Sequence, residues 1–329
     1  MRENGVKTVE NKELADMLLS RQGEYVSGEE IAAAYGISRA AVGKRIDKLR
    51  ESGIPVAGRR SSGYMIPGWA DVLSGSRISG MTGGKYDVRV FSVLESTNTA
   101  LRRAAKDGAA EGLVYIADRQ THGRGRMGRS FSSPAGTGLY MSVLLRPHIA
   151  AESALLITTA AAAAMAEAIE DVSGRRTGIK WVNDILIGGK KVCGILTEAA
   201  FSVETGSIDY AVLGLGVNIR EPEGGFPEEL RSIAGAVCEK PGKDMRNRIA
   251  AGFLTRFGEY YSDLEWRRFY SPYLSRLVLI GKKINVIKPS GTETAKAVGL
   301  DRDFRLEVEY PDGRTELLSG GEVSTRQTE

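Results

Sequence analysis

The sequence predicts a multidomain α+β protein. An N-terminal winged helix-turn-helix precedes a central α+β domain with a mixed or largely antiparallel sheet, and a small β-barrel ends the chain. Three observations lead there. At 329 residues the chain exceeds what one ordinary core accommodates. Its charge is unevenly placed: residues 38–60 hold seven Lys/Arg against two Asp/Glu, whereas residues 301–329 hold four against eight. In the middle of the chain, hairpins and adjacent strands outnumber strand–helix–strand repeats, which favours this sheet over a doubly wound fold. The expected boundaries are 1–67 for the winged helix-turn-helix domain, 68–86 for a linker, 87–272 for the central domain and 273–329 for the barrel.

In the first domain, Leu14, Leu18 and Leu19 recur at helical spacing over residues 11–20, and a second helix is predicted near 28–35. Gly36-Ile37-Ser38 then makes a turn, with Ser38 placed to cap a third helix. Val42, Ile46 and Leu49 would face the core, while Arg39, Ala40, Gly43, Lys44, Asp47 and Lys48 lie mainly on the other side. Residues 54–66 read as a short β-ribbon with Arg59 and Arg60 at its tip. Two short helices joined at a glycine, the second basic and exposed, followed by a ribbon, fit a winged helix-turn-helix. A three-helix packing module with a solvated basic face fits the same pattern. Gly43 costs about 1 kcal/mol inside a helix, which implies close approach by a partner helix or a DNA backbone.

Residues 68–86 are rich in Gly and Ser and read as a linker with one turn of helix. The central domain has predicted strands near 88–94, 113–118, 138–145, 178–187, 190–199 and 208–218, with helices at 97–107, 151–170 and 244–264. Gly188-Gly189 signals a hairpin. Strand 211–219 is glycine-rich and is expected near the sheet edge, where it could pair across a dimer. Beyond residue 274, short strands such as 284–288 and 304–310, with the Pro311-Asp312-Gly313 turn, indicate the barrel. There is no Walker lysine motif and no dinucleotide fingerprint. The start is polar and no 18-residue apolar run follows, so a cytoplasmic protein with no membrane contact is expected. The net charge of +4 is too small for indiscriminate nucleic-acid binding. Cys193 and Cys238 cannot form a disulfide framework, and Cys193 reads as a buried thiol.

Chemistry concentrates in two stretches. Gly123-Arg124-Gly125-Arg126-Met127-Gly128-Arg129 packs three glycines and three arginines into seven residues between apolar strands. Such a loop can wrap a polyanion and leave its guanidiniums free to grip it. Some fifty residues on, Lys180-Trp181-Val182-Asn183-Asp184 precedes the Gly188-Gly189 turn and Lys190-Lys191. If the two strands pair, Lys180, Asn183, Asp184 and Lys191 converge; Asp184 is then a candidate Mg²⁺ ligand, and the lysines would offset phosphate charge. A plain strand-end turn at Asn183-Asp184 fits the same residues. With only His122 and His148 in the chain, no nucleophilic triad is credible.

These stretches resemble the signature segments of biotin protein ligases. Ser96-Thr97-Asn98, Gln120, Gly214-Leu215-Gly216-Val217-Asn218 and Ser319-Gly320-Gly321-Glu322-Val323-Ser324 resemble further landmarks of that family. With the helix-turn-helix in front, residues 10–325 are similar to the bifunctional bacterial form, which is both ligase and repressor of the biotin operon. Two positions depart: Val182 stands where proline is usual, and Phe131 where tryptophan is common. The resemblance implies the biotin/lipoate ligase type of central domain and an SH3-like C-terminal barrel. It implies biotin and ATP as substrates, Mg²⁺, and biotinyl-5′-AMP as intermediate and corepressor. Biotin would lie against Ser96, Thr97, Asn98, Gln120, Gly123, Arg124, Gly125, Arg126, Lys191, Gly194, Gly214 and Gly216. The nucleotide would meet Arg126, Met127, Gly128, Arg129, Phe131, Lys180, Trp181, Asn183, Asp184 and Asn218. Lys191, with Arg124, Arg126 and Arg129, would act on the reaction itself. Ser38, Arg39, Ala40, Gly43, Lys44, Arg59 and Arg60 would face DNA. The implied partners are the biotin carboxyl carrier protein of acetyl-CoA carboxylase, operator DNA upstream of biotin-synthesis genes, and a second copy of the chain when adenylate is bound.

Two other functions compete. A lipoate ligase of related fold would use the same activation, but the urea-matching set Ser96, Asn98 and Gln120, the DNA-binding unit and the barrel favour biotin. A pure regulator that only senses a small molecule would have no need of Lys191 and the full arginine loop.

Overall fold

The computed structural model describes residues 13–147, 149–150, 153–201, 207–240, 242–288, 291–319 and 322–324. His148, Gly320, Gly321 and the chain ends lie outside the described residues. In the N-terminal domain, helix α1 runs over residues 13–20, α2 spans Gly28–Tyr35 and α3 spans Arg39–Glu51. Gly36 ends α2 in the left-handed region at φ 60°, and Ser38 Oγ caps α3 by accepting from the Ala41 amide at 3.2 Å. Val42, Ile46 and Leu49 are buried with Leu14, Leu18 and Leu19, as their spacing requires. Strands β1 (Ala57–Arg59) and β2 (Gly63–Met65) pair antiparallel as the wing. Gly63 has φ 106°, and a Cβ there would meet the Val26 carbonyl oxygen at 2.0 Å, so the wing closes against the body only with glycine.

The segment expected as a linker is packed. It carries α4 (Gly75–Met81), with Ile78 fully buried in the central core. Ser74 Oγ lies 2.8 Å from Asp16 Oδ1 in α1, and the Ser74 amide donates to Asn247 Oδ1. Arg246 meets Asp71 at 3.1 Å and Asp118 at 2.6 Å, and Arg246 and Asp71 are both buried. Gly and Ser thus mark close backbone approach here, because polar bonds to both neighbouring domains hold the segment.

The central domain is built on a seven-stranded mixed sheet. Its strands are β3 (Asp87–Leu94), β4 (Leu113–Gln120), β5 (Gly138–Leu145), β6 (Gly178–Lys180), β7 (Asp184–Ile187), β8 (Lys190–Phe201) and β9 (Ile208–Asn218). They lie in the order β3-β4-β5-β9-β8-β7-β6, parallel only between β3 and β4. Two expectations are corrected. The strand predicted over 178–187 is two strands of a hairpin, turning at residues 181–183. Strand 208–218 is not at an edge: it is the fourth of seven, hydrogen-bonded on both sides, and cannot pair with a second copy.

The period-2 alternation of β5, β9 and β8 assigns the two faces. Leu139, Met141, Val143, Leu213, Leu215, Val217 and Ile195 join the main core. Helices α6 (Ala154–Ser173) and α7 (Met245–Tyr261) contribute to the same core. The opposite face carries Tyr140, Ser142, Gly214, Gly216, Gly194 and Glu198 by the same alternation. Helix α5 (Thr97–Lys106) covers part of this face through Leu101 and Ala105 against Leu144 and Val212. A short helix α8 (Tyr270–Leu274) leads to the C-terminal domain, a five-stranded antiparallel sheet. Its strands are β10 (Lys283–Lys288), β11 (Gly291–Leu300), β12 (Leu306–Glu309), β13 (Thr315–Leu318) and β14 (Glu322–Ser324). Its core is continuous with that of the central domain: the Trp181 indole N–H donates to the Phe304 carbonyl at 2.9 Å. Among the described residues, no helix is long and apolar enough to cross a membrane.

Candidate active site

A cavity of about 790 Å³ opens on the glycine-bearing face of the sheet. The start of α5 supplies its uncharged polar wall. Ser96 caps the helix by accepting from the Thr99 amide, which brings Thr97 and Asn98 to the sheet surface. Gln120 Oε1 accepts from the Thr97 amide at 2.8 Å and its hydroxyl at 3.1 Å, and Gln120 Nε2 donates to Ser133 Oγ at 2.9 Å. Ser142 Oγ lies 2.6 Å from Asn98 Oδ1 and 2.7 Å from Thr97 Oγ1. Asn98 Nδ2 donates to Glu198 Oε2 at 2.9 Å. Ser96, Thr97, Asn98 and Ser142 are buried, so their bonds orient them rigidly.

The glycine–arginine loop folds back on itself. The Phe131 amide donates to the Gly123 carbonyl at 2.8 Å and the Gly125 amide to the Arg129 carbonyl at 2.7 Å. Met127 occupies the left-handed region at φ 55° and is 73% exposed at the tip. Arg124 pairs with Glu198 at 3.2 Å, and Arg126 Nη1 donates to Asn183 Oδ1 at 2.8 Å. The sheet glycines make room for these partners as much as for a ligand. A Cβ on Gly214 would stand 2.1 Å from Asn98 Oδ1, one on Gly216 2.5 Å from the Phe131 ring, and one on Gly194 3.0 Å from Lys191 Nζ.

The cationic wall follows from the 178–194 hairpin. Pairing of β7 with β8 sets Lys191 Nζ 2.6 Å from Asp184 Oδ1. Asn183 Nδ2 donates to the Ile195 carbonyl, and Asn218 Nδ2 to the Gly235 carbonyl. Lys180, Arg124, Arg126 and Arg129 also line the cavity. Five cationic side chains against Asp184 suit a polyphosphate. No described histidine lines it; His122 is exposed beside Thr121. Burial pushes the Tyr140 phenol up to about 12, and it is held by Pro134 and Thr137, so it offers no base at neutral pH. Burial also pushes the Cys193 thiol up, which leaves it inert.

The structure gathers nearly all of the predicted ligand-site residues around this one cavity. Gly123 and Gly128 do not line it. Gly123 is buried where a Cβ would meet the Phe131 carbonyl oxygen at 2.3 Å, and Gly128 holds φ 74° near the tip, so both shape the loop. Trp181 lines the wall, yet its side chain is 4% exposed and bonded to the C-terminal domain. Sequence reasoning missed Ser142, which stands singly in an apolar strand, and Glu198, which follows Thr197 in β8. It also missed Phe226, Leu230, Ile233 and Ala234, an apolar wall from a segment without periodicity. That segment clasps β8: the Lys191 amide donates to the Ile233 carbonyl, and the Gly235 amide to the Lys191 carbonyl.

The residues predicted to meet DNA sit apart from this cavity. Ser38, Arg39, Ala40 and Lys44 are exposed on the outer side of α3, Arg59 and Arg60 are exposed at the wing, and Gly43 is half-buried between them. Arg39 pairs with Glu29 at 3.0 Å. A Cβ on Gly43 would find nothing nearer than the Tyr64 hydroxyl at 4.0 Å, so nothing in this chain requires glycine there.

A winged helix fused to a mixed-sheet domain, with a cavity that joins a fixed neutral polar wall to a cluster of cations, defines a DNA-binding protein with a ligase-type catalytic domain. Residues 90–218 match the biotin/lipoate A/B protein ligase family, 12–65 an HTH domain and 279–326 the biotin protein ligase C terminal domain. The chain is 35% identical to the bifunctional ligase/repressor BirA of Bacillus subtilis, over 94% of this chain and 96% of that one. It is 30% identical to BirA of Escherichia coli over the same shares. The biotin protein ligase from Aquifex aeolicus in complex with biotin and ATP is similar at TM-score 0.59 and 25% identity, covering 72% of this chain and 97% of that one. The chain belongs to the biotin/lipoate A/B protein ligase family, among its bifunctional ligase/repressors.

Proposed function

We propose that the protein joins biotin to ATP as biotinyl-5′-AMP, and passes the biotinyl group to a lysine of the biotin carboxyl carrier protein of acetyl-CoA carboxylase. As an adenylate-bound dimer in the cytoplasm it represses the biotin-synthesis genes from their upstream operator. One observation carries the ligase half: a single cavity holds both a neutral set of donors and acceptors and a cluster of cations. A urea head needs donors and acceptors together, which Ser96, Thr97, Asn98 and Gln120 supply. A carboxylate approaching a triphosphate needs relief of anion repulsion, which Arg124, Arg126, Arg129, Lys180 and Lys191 supply.

In the first step the biotin carboxylate oxygen attacks the α-phosphorus and pyrophosphate leaves. The attacker is already an anion, so no general base is required, in keeping with a cavity that no described histidine lines. Lys191 stabilises charge building on the phosphoryl oxygens, and its pairing with Asp184 orients it. Among the described residues, no three His, Cys, Asp or Glu side chains gather as a metal cage. A Mg²⁺ ion held mainly by ATP phosphates and water, with Asp184 as its protein ligand, fits that donor set. In the second step the carrier lysine amine attacks the acyl carbon and AMP leaves. Until then the loop 123–131 and Phe131 shield the mixed anhydride from water. The C-terminal sheet, as an SH3-like barrel, contributes Val323 to the same cavity.

Incubation with biotin, ATP and the carrier domain should release AMP and pyrophosphate in proportion to biotin transferred. No turnover with biotin, or turnover with lipoate instead, would refute the assignment.

A further inference from the structure

The carboxylate of Glu198 does not line the cavity, yet it stands where three parts of the site meet. It accepts from Asn98 Nδ2 at 2.9 Å, pairs with Arg124 of the loop at 3.2 Å and with Arg102 of α5 at 3.4 Å. By the alternation of β8 it shares the site face with Gly194, and its side chain is only 21% exposed. A carboxylate only accepts hydrogen bonds, so it fixes which end of the Asn98 amide is which. With Nδ2 turned to Glu198, Asn98 Oδ1 faces the Ser142 hydroxyl at 2.6 Å. Ser142 in turn lies 2.7 Å from Thr97 Oγ1, which with the Thr97 amide engages Gln120 Oε1. The donor and acceptor directions of Asn98 and Ser142 are therefore anchored at one charged end, while the Thr97 amide orients Gln120.

We propose that Glu198 is a positioning residue: it sets the hydrogen-bond polarity of Asn98 and Ser142 in the wall that receives the biotin head, and through Arg124 it ties the glycine–arginine loop to that wall. The inference rests on the ligase reading above. Its two halves separate by substitution. In Glu198→Gln the amide oxygen can still accept from Asn98, but the charge that pairs with Arg124 and Arg102 is gone. In Glu198→Ala both are lost.

The test compares the full-length parent, E198Q and E198A for the KM of biotin, the KM of ATP, the release rate of biotinyl-5′-AMP and the melting temperature. E198A should raise the biotin KM about tenfold or more with the ATP KM held within about twofold, and should release the adenylate about tenfold faster. E198Q should raise the biotin KM less than E198A does, while releasing the adenylate about as fast as E198A. Equal biotin KM and equal release in parent and both variants would overturn the inference. So would a parallel rise of both KM values with a lowered melting temperature, which is the mark of a merely structural residue. Should E198A fail to fold, E198Q decides alone: parental adenylate release overturns the loop tie. A parent that forms no biotinyl-5′-AMP would instead refute the ligase reading, a failure distinguishable from those of the variants.

Discussion

Lys191 draws its importance from position more than from charge alone. It sits beside Asp184 on paired strands, and the absence of a Cβ at Gly194 leaves space for its ammonium. Lys191→Ala should slow adenylate formation about a hundredfold, about 3 kcal/mol of transition-state stabilisation, while weakening biotin binding far less. Single-turnover pyrophosphate release measures this, and an unchanged rate would remove the residue from the reaction. Gly214→Ala tests the neutral wall, because the new methyl would stand 2.1 Å from Asn98 Oδ1 and must displace it. Biotin affinity by calorimetry should fall about tenfold, with a stability loss of about 1–3 kcal/mol from overpacking. Parental affinity would show that Asn98 is not needed in its observed place. At this scale the legible residues were those in dense local patterns: arginines alternating with glycines, and lysines flanking a hairpin turn. Ser142 and Glu198 gave no such signal, since a lone serine in an apolar strand, or a glutamate beside a threonine, is informative only once the face it shares is known.

Elements were legible wherever one period dominated. Strands β5 and β9 lie almost where their apolar runs place them, and α6 follows from its alanine-rich stretch. The hairpin of β6 and β7 was hidden because apolar Trp181 and Val182 fill its turn and are buried there, so hydrophobicity runs unbroken through a chain reversal. The central place of β9 was hidden because edge and interior strands differ in partners, which composition does not record. One element junction has a measurable pH signature. Glu170, near the end of α6, accepts from the Thr177 amide and hydroxyl at 2.9 Å and from Arg276 Nη2 at 2.6 Å, joining α6 to the entry of β6 and to the segment after α8. Partial burial alone would push its pKa up, but the hydrogen bonds from Arg276 and Thr177 outweigh this and hold it below the ordinary carboxylate value. A depressed folded-state pKa means stability that is present above the unfolded value and lost as pH falls through the folded one. Glu170→Gln should therefore cost about 1–2 kcal/mol at pH 7, and the deficit should shrink as pH drops below the ordinary carboxylate range. Thermal melts of parent and variant at neutral and acid pH check it; a deficit that does not change with pH would mean the carboxylate is not the bonded form.

For the whole molecule, the question is how a DNA-binding domain and an adenylate-forming domain act as one device. Residues 68–86 are a bracket: Asp16 and Gln22 on one side and Asn247 and Arg246 on the other hold them through side-chain bonds. Breaking the buried Arg246–Asp71 pair by Arg246→Ala should cost about 3–5 kcal/mol, because it strands a buried carboxylate, and denaturant melts would show it. Gly43 separates the demands of stability from those of DNA. Within the chain its Cβ position is open, so Gly43→Ala should stabilise the N-terminal domain by about 0.5–1 kcal/mol. If α3 lies against a DNA backbone, the same methyl should weaken operator binding while ligase turnover stays at the parental rate, since Gly43 is remote from the cavity. Operator affinity should also fall steeply with salt, because Arg39, Lys44, Arg59 and Arg60 displace counterions on meeting phosphates. Linkage adds a reciprocal demand. If biotinyl-5′-AMP strengthens dimerisation and the dimer binds the operator more tightly, operator DNA must in turn strengthen retention of the adenylate by the same factor. Sedimentation with and without biotinyl-5′-AMP, paired with DNA binding at two salt concentrations and adenylate release with and without operator, measures every arm of that cycle. A protein that ligates biotin fully but shows no adenylate-dependent dimer, no salt-sensitive operator binding and no DNA effect on release would leave the helix-turn-helix without a role in repression.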